Sequence, residues 1–291
     1  MEATVINAGN RFSLKRFASY ASLYVTANRR KLLLGALQVF IFTFLFTIFI
    51  LYMGNGIYRY ENYREEGGTP GIDPFWTEEA MVMMILVFVF MAFAGSWMFS
   101  SMIGKRDRLD TIEVPALQSE KFLTWWCLYL PVALLVILAS FWLSDLLRVI
   151  WVKAFTPFGD DAHLIPLEYI VNFREPDWYN SSAENHSATF IIYSVIVCCN
   201  AVFALGSIFF HKLNFLKTVI TGFILMAVVS LVFSLGRNIF FAWNEVNLTE
   251  RFDIDMPENG YVIGGIIFLI AACIHTFAYY RYREEEIINR W

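Results

Sequence analysis

The sequence predicts an all-α polytopic membrane protein with six transmembrane helices, an N-terminal interfacial elbow helix and both termini in the cytoplasm. Three observations predict it. Six long apolar runs, 32–53, 80–103, 126–143, 188–210, 219–235 and 262–280, are each near the roughly 20 residues that cross hydrocarbon as a helix. None shows the in-out alternation of a barrel strand, and unpaired backbone groups are too costly in lipid for any other spanning structure. Lys and Arg are also distributed asymmetrically, and 58% of the chain is hydrophobic with 18% aromatic, far above soluble-protein usage.

The charge asymmetry sets the orientation. Arg11, Lys15, Arg16, Arg29, Arg30, Lys31, Lys105, Arg106, Arg108, Lys121, Lys212, Lys217, Arg281, Arg283 and Arg290 make 15 of the 22 basic residues. All lie in the N-terminal arm, the even-numbered loops or the tail, which the positive-inside rule assigns to the cytoplasm. The acidic residues favour the other side. A formal charge of −4 gives no basis for nucleic-acid binding.

Before the first span, segment 1–31 is set apart as a cytoplasmic, amphipathic stretch, and 32–291 forms the six-span domain. In the arm, Phe12, Phe17, Tyr20, Leu23 and Tyr24 recur among Lys15 and Arg16 at helix-like spacing, which suits a helix lying in the lipid interface. The basic run Asn28 to Lys31 then marks an expected bend into the first span. Met1 to Asn10 lacks a signal-peptide pattern, so the first span is expected to anchor the mature chain.

Among the loops, Gly54 to Glu79 is expected to be irregular, because Gly67, Gly68, Pro70 and Gly71 disfavour regular structure. The long loop Ser144 to Ser187 alternates prolines with aromatic pieces and is expected to fold back on the interface as short helices. His211 to Lys217 is short enough to make the fourth and fifth spans an antiparallel hairpin. Asn238 to Asn244 is too apolar for a free loop and reads as re-entrant or interfacial.

Chemistry-bearing residues are sparse within the spans. His275 is the one ionisable group well inside a helix and reads as a buried neutral imidazole bonded to a neighbouring helix. Asp145 and Arg148, three apart at the outer end of the third span, read as a local ion pair. Asp160, Asp161, His163, Glu168, Glu184 and His186 share one outer loop, but their spacing matches no recognisable zinc pattern. No metal, cofactor or catalytic residue is assigned, and no Gly-x-Ser-x-Gly, His-Glu-x-x-His or phosphate loop occurs. The chain is therefore not expected to be an enzyme, and any energy for work must come from a partner.

The second cytoplasmic loop is the candidate contact for that partner. Arg106, Asp107 and Arg108 precede Pro115, and Ser119 is placed as an N-cap ahead of Glu120, Lys121 and Phe122. Such short helices across the membrane face could dock on a soluble protein. An ordinary charged connector explains the same composition.

The six spans, basic amphipathic arm, structured second loop, tight fourth loop and aromatic piece before the last span resemble the permease subunits of bacterial type-2 ATP-binding-cassette (ABC) transporters. Val114 to Trp126 is similar to a Leu-Pro-Ala-Ser-x-x-Glu-Lys-Phe loop of membrane proteins related to them, with Pro115, Ala116, Glu120, Lys121 and Phe122 matching. Val114 replaces the Leu and Leu117 the Ser. The resemblance implies a coupling element at 105–124 against a separate ABC ATP-binding subunit, and an elbow helix carrying Lys15, Arg16 and Phe17. It further implies a second permease copy, identical or related, in the cytoplasmic (inner) membrane, and export of a substrate the sequence does not name. A non-transporting scaffold or sensor using the acidic outer loops is the alternative.

Overall fold

The computed structural model describes residues 12–53, 56–65, 73–100, 114–172, 185–210, 213–224 and 256–288, and among them the regular structure is helical throughout. The helices are α1 (Leu14–Met53), α2 (Gly56–Glu65), α3 (Trp76–Trp97), α4 (Gln118–Cys127), α5 (Ala133–Phe155), α6 (Leu167–Asn172), α7 (Asn185–Phe209), α8 (Asn214–Ile224) and α9 (Met256–Ile288). Four stretches among the described residues are long and apolar enough to cross a membrane: Leu14–Met53, Gln118–Phe155, Ser187–Phe209 and Gly260–Glu284. The apolar part of α3, Val82–Trp97, and α8 are shorter.

α1 differs from expectation. It runs unbroken for 40 residues through Asn28 to Lys31, about 60 Å of helix. Arg29, Arg30 and Lys31 are exposed mid-helix residues and no bend occurs at them, because no proline or glycine interrupts the ladder there. Beyond them Leu33, Leu34, Leu37, Ile41, Phe42, Leu45 and Phe49 are exposed, an apolar face that water would not tolerate and lipid would.

Between α4 and α5 the helix continues through one π turn, Leu128–Val132, which contains Pro131. Proline has no N–H to give, and the wider turn absorbs the missing bond. Ala133 N–H is thereby drawn back to Leu128 O, away from Tyr129 O, where a regular helix would direct it. The Asn200 amide on α7 donates to Tyr129 O (3.1 Å) and to Met91 O on α3 (3.0 Å). One buried side chain therefore ties three helices together.

α7 is central, packed along α3 on one side and α9 on the other, while α1 lies along α4 and α5. Close approach depends on missing side chains. A Cβ on Gly95 would lie 2.5 Å from Asn200 O, and one on Gly206 would collide with Thr218 of α8. Gly206 against Thr218 also brings α8 back onto α7, the expected hairpin, with Leu213 turning in the left-handed region at φ 54°. Three buried clusters follow one another along α1. Tyr24 meets Phe99, Trp125 and Tyr282, Val39 and Phe46 meet Met83, Val87 and Phe141, and Ile48 and Leu51 meet Tyr60, Phe75 and Val152.

Two loop expectations change. Residues 56–65 form α2 instead of an irregular connector, with Gly56 buried under Leu51 and Phe75. Ser144 to Phe155 continue α5, so only the later part of that loop folds as a short helix, α6. Gly67 to Gly71 and the 238–244 piece lie outside the described residues.

Candidate functional site

Two constructions stand out, one at each end of the α1/α5 pair. The first joins the chain's N-terminal arm to α4. Val114, Pro115 and Ala116 make a tight turn, Ala116 N–H donating to Val114 O at 2.8 Å, and the helix then starts from an extended Leu117. Ser119 is thus inside the first turn and not the N-cap. Glu120 supplies the reach-back half of a capping box, accepting from Leu117 N–H at 3.0 Å. Its other oxygen accepts from Ser13 N–H (2.9 Å) and from Arg16 through Nε (3.2 Å) and Nη2 (3.1 Å). Glu120 is fully buried, so this carboxylate is a strut between α1 and α4.

The other residues singled out from sequence divide accordingly. Lys121 is buried, and Phe122 packs edge-on against Tyr279 (5.1 Å) and near Phe99 (6.1 Å). Pro115 is exposed at the turn. Arg106, Asp107 and Arg108 lie outside the described residues. Of the elbow residues, Lys15 is exposed, Phe17 is half-buried beside Phe12 (6.1 Å) and Arg16 binds Glu120. Farther along, Tyr24 and Tyr129 hydroxyls approach to 3.5 Å and Tyr24 meets Trp125, which continues the join.

The second construction is a buried ionic cluster around Arg148. Asp145 is one turn earlier on α5, and the expected pair forms, with Arg148 Nε donating to Asp145 Oδ1 at 2.8 Å and Nη2 at 2.6 Å from the same oxygen. Sequence reasoning missed the rest. Arg148 Nη1 donates to Asp73 (2.9 Å) and to the Tyr60 hydroxyl (2.6 Å), and Nη2 to His163 O (3.1 Å). These five contacts match the five N–H groups of a guanidinium. Phe75 lies under it, 5.0 Å from ring centre to Cζ.

Both aspartates are saturated with donors. Asp73 accepts from Tyr60, Phe75 N–H, Arg148 and His163 N–H, and Asp145 accepts from Ile165 N–H (2.7 Å) besides Arg148. The Asp73 bond to Phe75 N–H also forms the turn that starts α3. Burial pushes the Tyr60 hydroxyl above its ordinary range although Arg148 opposes the shift, so Tyr60 keeps its proton and donates it to Asp73.

Glu79 is the third carboxyl group of the cluster, 4% exposed, with Oε2 3.5 Å from Arg148 Nε. Among the described residues neither of its oxygens has a hydrogen-bond donor. It precedes the apolar stretch of α3, and burial, with the neighbouring Asp145 charge, pushes its carboxyl well above the usual range.

The remaining sequence candidates do not converge. His163 uses its backbone in the cluster while its ring Nδ1 is 3.1 Å from Asp161 O, and Glu168 is exposed. The side chains of Glu184 and His186 lie outside the described residues. Among the described residues no three His, Cys, Asp or Glu side chains are grouped as a metal site. His275 is buried against Trp126, ring centres 6.2 Å apart, and among the described residues neither nitrogen has the expected interhelical hydrogen bond. Compared with protein-family models, curated proteins and solved structures, the chain matches none of them.

Proposed function

We propose that the chain is the membrane-spanning permease subunit of an ATP-driven exporter of the type-2 ABC class, hydrolysing no ATP itself and working with a separate ATP-binding subunit and a second permease copy. In this reading six spans cross the bacterial inner membrane, α3 and α8 included, with both termini cytoplasmic. The observation that carries it is the Glu120 strut. A basic N-terminal arm and the helix that follows the second cytoplasmic loop are bonded to one another, and each continues directly into a span. Force applied to that loop would therefore move α1 and α5 together, which is what coupling to a nucleotide-driven partner requires.

The strut changes which residues face the partner. Glu120 and Lys121 are turned inward, so docking falls to the exposed turn at Pro115 and to Arg106, Asp107 and Arg108 ahead of it. A photo-crosslinking residue in place of Pro115, activated in cells, should capture an ATP-binding subunit. Crosslinks to lipid or to the chain itself alone would contradict the reading.

A second reading, a non-transporting sensor or scaffold, is favoured by the ionic cluster at the opposite end of the bundle. Four buried ionisable groups there are an unusual commitment for a simple connector region.

A further inference from the structure

The Arg148 cluster does not balance. One guanidinium faces three carboxyl groups, all at most 4% exposed, on the α2–α3 connection (Asp73), α3 (Glu79) and α5 (Asp145). Asp73 accepts four hydrogen bonds, which leaves no oxygen site for a proton, and Asp145 accepts two and lies against the guanidinium through both Nε and Nη2, which favours its ionised form. The Arg148 nitrogen closest to Glu79 is Nε, and its single N–H is already donated to Asp145 Oδ1. An ionised Glu79 would be a second uncompensated negative charge, buried and without a hydrogen bond, in a place where one such charge is already costly.

We propose that Glu79 is a proton-binding site, and that the bound proton locks the ends of α2, α3 and α5 together around Arg148. The carboxylic acid is the neutral form that removes this second charge, and the neighbouring Asp145 carboxylate is the group to which its O–H would donate. Losing the proton leaves Glu79 and Asp145 as neighbouring anions, and separation of α3 from α5 relieves that repulsion. The ligand is a proton and not a divalent metal, since the cluster's positive centre is the guanidinium itself.

The groups around Glu79 are accounted for element by element. α2 contributes the Tyr60 hydroxyl, which stays protonated, and the turn before α3 contributes Asp73. α5 contributes Asp145 and Arg148, and the 156–166 segment contributes the His163 backbone, with the His163 ring directed toward Asp161. Because the proton is held in the folded chain and released by an ordinary glutamate once unfolded, its stabilising effect is complete in acid. It declines as pH rises from the normal glutamate range toward the raised value.

Infrared spectra of the full chain in lipid bilayers at neutral pH test this directly. A protonated-carboxyl C=O band should be present, should shift on ¹³C-glutamate labelling but not on ¹³C-aspartate labelling, and should disappear in Glu79→Gln. No such band, or one that follows the aspartate label, overturns the proposal. The labelling arm needs no variant, so an absent or aspartate-labelled band overturns the proposal even if Glu79→Gln fails to fold. Where the variant does fold, its melting temperature should be higher than the wild type's at neutral pH, with a gap that closes on acidification, and His163→Gln should keep the wild-type dependence. A constant gap across that range would overturn the locking role.

Discussion

Arg148 is the residue on which the far end of the bundle depends. Removing a buried charge whose partners stay behind leaves uncompensated carboxylates, so Arg148→Ala should destabilise the protein by about 3–5 kcal/mol, read as a lowered melting temperature in detergent. Tyr60→Phe deletes only the hydroxyl between Arg148 and Asp73 and should cost about 1–3 kcal/mol. An Arg148 variant of normal stability would mean that the cluster contributes little to the fold. Half of this site was legible in the sequence. Asp145 and Arg148 show themselves as two charges three apart in an apolar helix, whereas Asp73 and Tyr60 lie 75 and 88 positions from Arg148 and carry no periodic signal linking them to it. Glu79 looks like one more acid at the edge of a span, and only the three-dimensional count of donors distinguishes it.

At the level of elements, the long apolar runs point to the four helices long and apolar enough to cross a membrane, because length and composition alone determine what can lie in hydrocarbon. Their ends were less visible. The arm and the apolar run after it form one rod, since Arg29, Arg30 and Lys31 are good helix formers whose charge says where the chain meets water and not whether it bends. Glu120 was read as an exposed docking residue because a charged side chain in a loop usually is one. Its partners, Ser13 and Arg16, come from 104 to 107 positions away. Glu120→Ala should therefore release the N-terminal arm, seen as faster hydrogen exchange over residues 13–24 with little change in α7. Unchanged exchange would rule out the strut. Asn200→Ala leaves the Tyr129 and Met91 carbonyls without their donor and should cost about 1–3 kcal/mol. Gly95→Leu should prevent α3 from seating on α7 altogether, because the clash is with backbone.

For the molecule as a whole, the two constructions occupy opposite ends of the same pair of rods. Ser13 and Arg16 meet Glu120 at one end, Tyr24 meets Tyr129 farther along, and the Tyr52 hydroxyl accepts from Trp151 Nε1 (2.7 Å) near the other. α1 and α4–α5 thus run parallel and are tied along their length, so a displacement imposed at the Pro115 turn can reach the Arg148 cluster without any loop relaying it. That connection makes the proposed permease reading mechanically coherent, with a separate ATP-binding subunit as the proposed energy source. Purification of the tagged full chain from its native membrane in mild detergent, followed by identification of stoichiometric partners and an ATP-hydrolysis assay, tests this most directly. The account predicts an ABC ATP-binding subunit in near-equal amount and ATP hydrolysis that tracks it. A chain that purifies without such a subunit, with no ATP hydrolysis, would contradict the account and favour the sensor reading.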